Sequence, residues 1–442
     1  MVKKIRHNKL ILILIHIAFG FLGTLPFFPK IYGLLSLTIP LFIIFSSKNK
    51  NEEAFVFAAY LVGAEVFTRM IDGSVVYETG KYGVILFLLL GVFVGGIKQK
   101  LSVSYFFYLL LLLLGIVFTH VPEGESIRKA IVFNLSGPFV LGISALYFYK
   151  RRITNKQLLN ALFFMLLPLF SMVTYLYLRT PALEEIVFGG SANFKTSGGF
   201  GPNQVATVIG VGIFIIAVLM LLKYKITGFV LFDSLILVYF IYRGLLTFSR
   251  GGIFTGVIAL LFFLLFFILS KNNPVQLFFK YIIIGGVLAI AIWFYTSLAT
   301  GGMLDNRYAG KNASGIQKED ITSGRAAIFE EQIKSLIYAP FGIGVGNGKY
   351  KRIIEDNDVT GASHNEVGRL IEEHGIVGLL CLLLLLTVPL VHLFISTNYQ
   401  RAFIVAFYLL WLLTISHSAM RIAFPGFIYG LSLIKITENK NE

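Results

Sequence analysis

Residues 251–270 read GGIFTGVIALLFFLLFFILS, twenty positions without one charged side chain. A helix needs about 20 apolar residues to cross the hydrocarbon core of a bilayer. Working outward from this run, comparable apolar segments occupy 10–28, 31–46, 54–71, 82–97, 101–119, 129–149, 157–178, 203–222, 227–248, 281–300, 376–395, 402–418 and 421–435. The expected architecture is all-α, a polytopic transmembrane helical bundle of about 12–14 spans, the lower number applying if short segments only dip into the bilayer. Composition agrees. Hydrophobic residues make up 56% of the chain and charged residues 14%, against about 25% charged in a soluble domain, and mean hydropathy is +0.79. The lone cysteine, Cys381, sits inside an apolar run, so no intrachain disulfide forms. The basic stretch from Met1 to Lys9 followed by an apolar run resembles a signal peptide, but without a small-residue cleavage site it reads as a retained first helix.

The positive charges set the topology. Lys3, Lys4, Arg6 and Lys9, then Lys48 and Lys50, Lys98 and Lys100, Lys150 to Arg152, Lys223 and Lys225, Lys271 and Lys280, Arg401, Lys435 and Lys440 fall in one alternate set of linkers. By the positive-inside rule that set is cytoplasmic, with both termini. The net charge of +15 is partly this signal and does not call for nucleic acid. The expected division is residues 1–300 as transmembrane helices, 301–375 as one large periplasmic loop, and 376–442 as C-terminal transmembrane helices. Also outside are the linker 179–202 and the break at Ser249–Gly252. Within the long loop, Ser323 is placed to cap a helix over Ala326–Ile337, with Pro340 as its stop. Phe341–Tyr350 (FGIGVGNGKY) reads as a glycine-rich turn, and a second helix starts near His364.

Charges at membrane depth are costly and face a cavity or a partner. Arg243 and Arg250 stand seven residues apart at the outer end of one expected span, a spacing that puts both on one helical face. Arg69 ends the third span, Arg421 begins the last, and Arg325 lies in the outer loop. Arginines gathered on one side suit an anionic head group, because guanidinium is always charged and grips phosphate oxygens bidentately. Singly, each could instead snorkel or pair with neighbours such as Glu65 and Asp72. His364, in Ser363-His364-Asn365-Glu366, is the foremost titratable candidate; His374 is its equal by composition, and His120 and His417 are weaker ones. Gly342, Gly344, Gly346 and Gly348 lack the strand before and the Lys-Ser/Thr after that a nucleotide loop requires. Glu330 and Glu331 are adjacent and point to different faces, so no glycosidase-type carboxylate pair is supported. No His/Cys/Asp cluster has metal-ligand spacing, and Ser249 would need a base beside it to act as a nucleophile.

Four stretches together resemble the O-antigen ligase and polymerase superfamily, membrane enzymes of bacterial surface-polysaccharide assembly. They are Ser249-Arg250-Gly251-Gly252; Ser323-Gly324-Arg325 with Pro340-Phe341-Gly342-Ile343-Gly344-Val345-Gly346; HNEVGRLIEEHGIVG over 364–378; and Gly201-Pro202-Asn203. The resemblance is detailed over about 190–380 and otherwise rests on hydropathy. It implies transfer of a glycan from undecaprenyl pyrophosphate, on the periplasmic side of the bacterial inner membrane, to an acceptor hydroxyl, with no cofactor and no metal. By this resemblance Arg250 and Arg325 hold the pyrophosphate and His364 is the general base or positions the acceptor. Arg243, Arg69, Asn365 and Asn203 are the further substrate-binding candidates.

A ligase takes lipid A-core or another glycan as acceptor, and a polymerase takes a lipid-linked repeat. The spacing after His364 matches the ligase pattern. The Arg-x10-Gly pattern of some polymerases is absent at Arg250 and Arg325, where Leu261 and Leu336 stand, and does occur from Arg69 to Gly80, near a span end. A transporter or flippase of an anionic lipid or solute is the expectation from a different class. It fits less well, because the charges cluster at one face.

Overall fold

The computed structural model describes residues 2–98, 101–189, 191–320, 322, 324–356 and 363–437. Helices dominate, as expected. They are α1 (Val2–Leu22), α2 (Phe28–Ser47), α3 (Glu53–Met70), α4 (Thr79–Gly95), α5 (Val103–Leu114), α6 (Ile127–Phe148) and α7 (Asn155–Arg179). A loop with two 3-10 turns leads to α8 (Pro202–Leu221), α9 (Val230–Leu246), α10 (Arg250–Leu269) and α11 (Pro274–Ala299). The long polar segment holds α12 (Met303–Tyr308), α13 (Arg325–Tyr338) and α14 (Asn347–Asp356), and α15 (Glu366–Phe394), α16 (Asn398–His417) and α17 (Phe424–Leu431) complete the set. The only described strands, β1 (Arg152–Thr154) and β2 (Lys435–Thr437), pair in parallel and tie the C-terminal end to the α6–α7 linker.

Every apolar segment read from the sequence is helical, but their lengths differ. Among the described residues eight helices are long and apolar enough to cross a membrane: α2, α6, α7, α8, α10, α11, α15 and α16. Lys9–Leu22 of α1, α4 and α5 are apolar but shorter. The segment 421–435 is not one span-length helix. α17 has eight residues, all buried, because the chain turns through 418–423 before it starts. α7 and α8 are buried along most of their length, packed on α3 and α10 respectively, whereas α11 is exposed along nearly all of its own.

The glycine-rich segment is a packing device, and its C-terminal part is helix α14 rather than turn. α15 kinks at Gly375 (φ 60°, ψ −136°), conformation open to glycine alone. The kink frees carbonyls, and the segment satisfies them: Ile343 N donates to Glu372 O (2.9 Å) and Gly344 N to Glu373 O (3.2 Å), while Pro340 O accepts from Ile376 N (2.8 Å). A Cβ at Gly342 would sit 2.3 Å from Glu373 O, and one at Gly344 would sit 2.2 Å from Phe118 O, with both glycines at positive φ. No phosphate cradle remains there.

Candidate functional site

The break between α9 and α10 is where sequence spacing misleads. Arg243 and Arg250 do not share a helical face, because Phe248 adopts φ 55° and ends the first helix. Its ring is fully buried and stacks on Phe188 at 4.9 Å. The chain then restarts with Arg250 as the first residue of α10. Gly252 and Gly256 bring α10 against the backbone of α8: a Cβ on Gly252 would lie 2.3 Å from Ala206 C, and one on Gly256 would lie 2.3 Å from Gly210 O. Gly251 admits the ring of His417, 2.6 Å from where a Cβ would be. The motif's glycines thus admit a neighbouring backbone and an imidazole, which fixes where Arg250 emerges. Ser249 Oγ donates to Asn203 Oδ1 at 2.8 Å, an amide and not a base.

Two loop helices supply further arginines. α12 docks by Leu304, which is fully buried, and by Asp305, whose carboxylate accepts from Trp293 Nε1 at 2.8 Å and from Ser297 Oγ. This holds Arg307, whose Nε donates to Phe248 O at 2.9 Å. α13 begins at Arg325, with Gly324 at φ 79° as its N-cap. The expected Ser323 cap lies outside the described residues. Gln332 of α13 donates to Glu372 of α15 at 2.9 Å, and the same carboxylate accepts from Arg352 Nη1 of α14 at 2.7 Å. One glutamate on α15 therefore gathers the loop helices.

α15 starts where the sequence suggests. Asn365 is its N-cap, with Oδ1 accepting from Val367 N (2.9 Å) and Gly368 N (3.4 Å). His364 stands just before the cap. Burial first, then the nearby Arg421, Arg325 and His417, lower its pKa from the ordinary 6.5 to about 4. At neutral pH it is neutral and able to accept a proton.

These parts meet. A cavity of about 470 Å³ is lined by Asn203, Ser249, Arg250, Gly251, Arg307, Thr322, Arg325, Ala326, Phe329, Asn365 and His417. Three arginines face it and, among the described residues, no carboxylate does. The Arg250 and Arg325 guanidinium groups make no hydrogen bond or ion pair with a described residue. Burial first, and then repulsion from the neighbouring arginines, lower the pKa of Arg307 and of Arg325. The first turns of α8, α10 and α13 and the cap of α15 all line this cavity. Each helix N-terminus carries about half a positive charge and unpaired N–H groups. The arrangement is a receptor for a group with more than one negative charge.

Of the residues singled out from sequence, Arg250, Arg325, Asn203 and Asn365 line this cavity. His364 adjoins it through Asn365 and within electrostatic reach of Arg325. The structure does not bring Arg69 or Arg243 to it. Arg69 is buried between Glu65 (2.6 Å) and Glu78 (3.3 Å). Arg243 Nη2 donates to Thr180 Oγ1 (2.9 Å) and Thr196 O (3.1 Å), holding the 179–202 loop onto α9. His374 is buried against Gly115, and His120 sits on the surface beside Asn347. Sequence reasoning missed Arg307, which lies in no motif, and undervalued His417, whose closeness to Gly251 no spacing discloses.

Fold and cavity together define a polytopic, all-helical membrane protein with a strongly cationic site at one end of its bundle. Residues 235–383 match the family model described as O-antigen ligase, which places this stretch, with Arg250, Arg307, Arg325 and His364, in the O-antigen ligase superfamily. The family is one of ligase- or polymerase-like membrane enzymes of the glycosyltransferase kind. No curated protein matches the chain.

Proposed function

We propose that this protein transfers a glycan from undecaprenyl pyrophosphate to an acceptor hydroxyl on the periplasmic side of the bacterial inner membrane, as an O-antigen ligase acting on lipid A-core. The observation that carries the reading is the cavity with three arginines, four helix N-termini and, among the described residues, no carboxylate. A pyrophosphate is the polyanion such a site complements. The charge pattern of the linkers supports the periplasmic side, since it puts the loop holding Arg307, Arg325 and His364 opposite the lysine-rich linkers.

The geometry supports the following chemistry. The acceptor oxygen attacks the anomeric carbon of the donor, forming the new glycosidic bond. The bond from that carbon to the pyrophosphate oxygen breaks, and its electron pair leaves with the pyrophosphate. Arg250, Arg307 and Arg325 stabilise the charge that develops there, in the role a metal ion plays in other glycosyl transfers. Neutral His364 takes the acceptor's hydroxyl proton. Donor charge in the cavity raises the basicity of His364 at the moment the proton must move, because it offsets the arginines that depress it.

The test is transfer by purified, detergent-solubilised protein supplied with undecaprenyl-pyrophosphate glycan and lipid A-core. Core-linked product in one step, lost in His364→Ala and Arg250→Ala, is the expected result. Lipid-linked ladders without core transfer would make the protein a polymerase using the same site. No product with several donors, and variants that behave as wild type, would overturn the reading and favour transport.

A further inference from the structure

A second charged pocket lies on the other side of the Ser363–Asn365 segment. It is a crevice of about 50 Å³, and Asn134, Lys349, Arg352, Ser363, Arg369 and Arg421 contribute its polar lining along with Glu366 and Glu373. Its carboxylates are spoken for. Arg369 binds Glu366 (Nε to Oε2, 3.0 Å) and Glu373 (Nη1 to Oε2, 2.7 Å), while Arg352 pairs with Glu372 behind it. The remaining cations are Lys349, which is exposed and has no hydrogen bond or ion pair to a described residue, and Arg421. Arg421 lies over the Phe133 ring and donates by Nη2 to Ser363 O at 3.1 Å. The turn that presents Arg421 is held under backbone strain, with Ala419 at φ 51°. Buried carboxylates hold it there: Met420 N donates to Glu366 Oε2 (3.3 Å) and Ala423 N to Glu65 Oε2 (2.6 Å). Strain retained by such a framework concentrates at functional positions.

His364 stands at the seam, flanked by Arg325 of the large cavity and Arg421 of this one. We infer that this second pocket binds an anionic substituent of the acceptor, a phosphate or carboxylate on the sugar that presents the reacting hydroxyl, between Lys349 and Arg421. The inference rests on the transfer reaction proposed above. The crevice suits one such group and not a whole sugar, so the acceptor is gripped by its charge while its hydroxyl reaches His364. Donor and acceptor then approach one imidazole from two separately charged chambers, and specificity for the acceptor is set apart from affinity for the donor.

The experiment compares two acceptors in the transfer assay, one glycolipid with a phosphate on the acceptor sugar and the same glycolipid after phosphatase treatment. Wild type is expected to show a KM about tenfold lower for the phosphorylated form, the worth of one charged hydrogen-bonded contact. Lys349→Gln and Arg421→Gln should each erase that difference, with donor KM unchanged. Equal KM values in the wild type overturn the inference while leaving the transfer reaction standing. A preference that follows added anionic phospholipid instead of acceptor charge assigns the pocket to a lipid headgroup and also overturns it. If no acceptor supports transfer, the proposed function fails. The pocket is then read by inorganic phosphate in an Arg250→Gln/Arg325→Gln background, where residual thermal stabilisation that disappears with Lys349→Gln keeps the anion site, and its absence removes it.

Discussion

Two clusters of charged side chains in this protein answer the same electrostatic problem in opposite ways. In the first, Glu65, Arg69, Glu78 and Lys81 are buried together with no net charge: Arg69 meets Glu65 at 2.6 Å, and Lys81 meets Glu78 at 2.9 Å. Ser136 Oγ accepts from Lys81, and Arg421 O accepts from Arg69. Arg69 Nε and Glu78 Oε1 are the polar atoms there without a hydrogen bond. In the second, Arg250, Arg307 and Arg325 share a cavity whose lining, among the described residues, holds no carboxylate. A closed cluster gives the fold its geometry, since buried charges persist only when paired. An open cluster holds its charges against their own repulsion, which makes sense when the counter-charge arrives from outside.

The comparison breaks most visibly in the closed cluster. Arg69→Ala leaves the buried Glu65 carboxylate without its ionic partner and Glu78 with Lys81 alone, and should cost about 3–5 kcal/mol of stability. Thermal unfolding in detergent reads this, and the loss of activity should track the loss of folded protein. Arg250→Ala should behave in reverse. Unfolding temperature stays the same or rises, since one of three like charges is gone, while kcat falls by about 10²–10³-fold. If Arg250→Ala instead unfolds the protein and Arg69→Ala spares it, the division into closed and open clusters is wrong.

A smaller effect sharpens the contrast without any assay of transfer. Inorganic pyrophosphate at about 100 times its Kd should stabilise the wild type by about 2.7 kcal/mol. Arg325→Ala and Arg307→Ala should each weaken this, and Arg69→Ala or Arg243→Ala should not beyond their effect on the fold. Arg307→Ala is the sharper case, because no sequence motif marks that residue. Unchanged pyrophosphate stabilisation in that variant would remove Arg307 from the site.

What the sequence disclosed and what it hid divide along physical lines. Apolar runs such as 251–270 announce helices because burial in lipid constrains every position in them. The start of α15 near His364 and the stop at Pro340 are legible because capping and proline chemistry are local. Arg250, Arg325, Asn203 and Asn365 emerged through short motifs, and the structure puts them on one cavity. The grouping of Arg69 and Arg243 with them rested on shared sidedness, and sidedness says nothing of partners. Glu78 and Thr180, which engage those two arginines, are nine and sixty-three residues away. The turn at Phe248 was hidden because a non-glycine residue at positive φ leaves no mark in composition. Arg307 was hidden because α12 is six residues long and docks through Leu304, Asp305 and the distant Trp293.

The last and smallest effect concerns the seam between the two chambers. Burial and the neighbouring Arg421, Arg325 and His417 lower the His364 pKa to about 4. Protonated imidazole cannot take the acceptor proton, so kcat/KM, which reports the free enzyme, should stay level through pH 6 and fall only as pH drops toward about 4. Bound pyrophosphate brings negative charge beside the ring and favours its protonated form, so the acid limb of kcat should lie at higher pH than that of kcat/KM. Arg421→Gln removes the charge that acts most strongly on the ring and should move the kcat/KM limb upward, read with the dephosphorylated acceptor so that the second pocket plays no part. The sign decides the role. Were His364 a cationic partner of the pyrophosphate, activity would rise as pH falls through its pKa, and Arg421→Gln would extend that rise to higher pH. An acid limb that follows Arg421 in the stated direction assigns the proton to His364, and a limb unmoved by Arg421→Gln and retained in His364→Gln assigns it to another group.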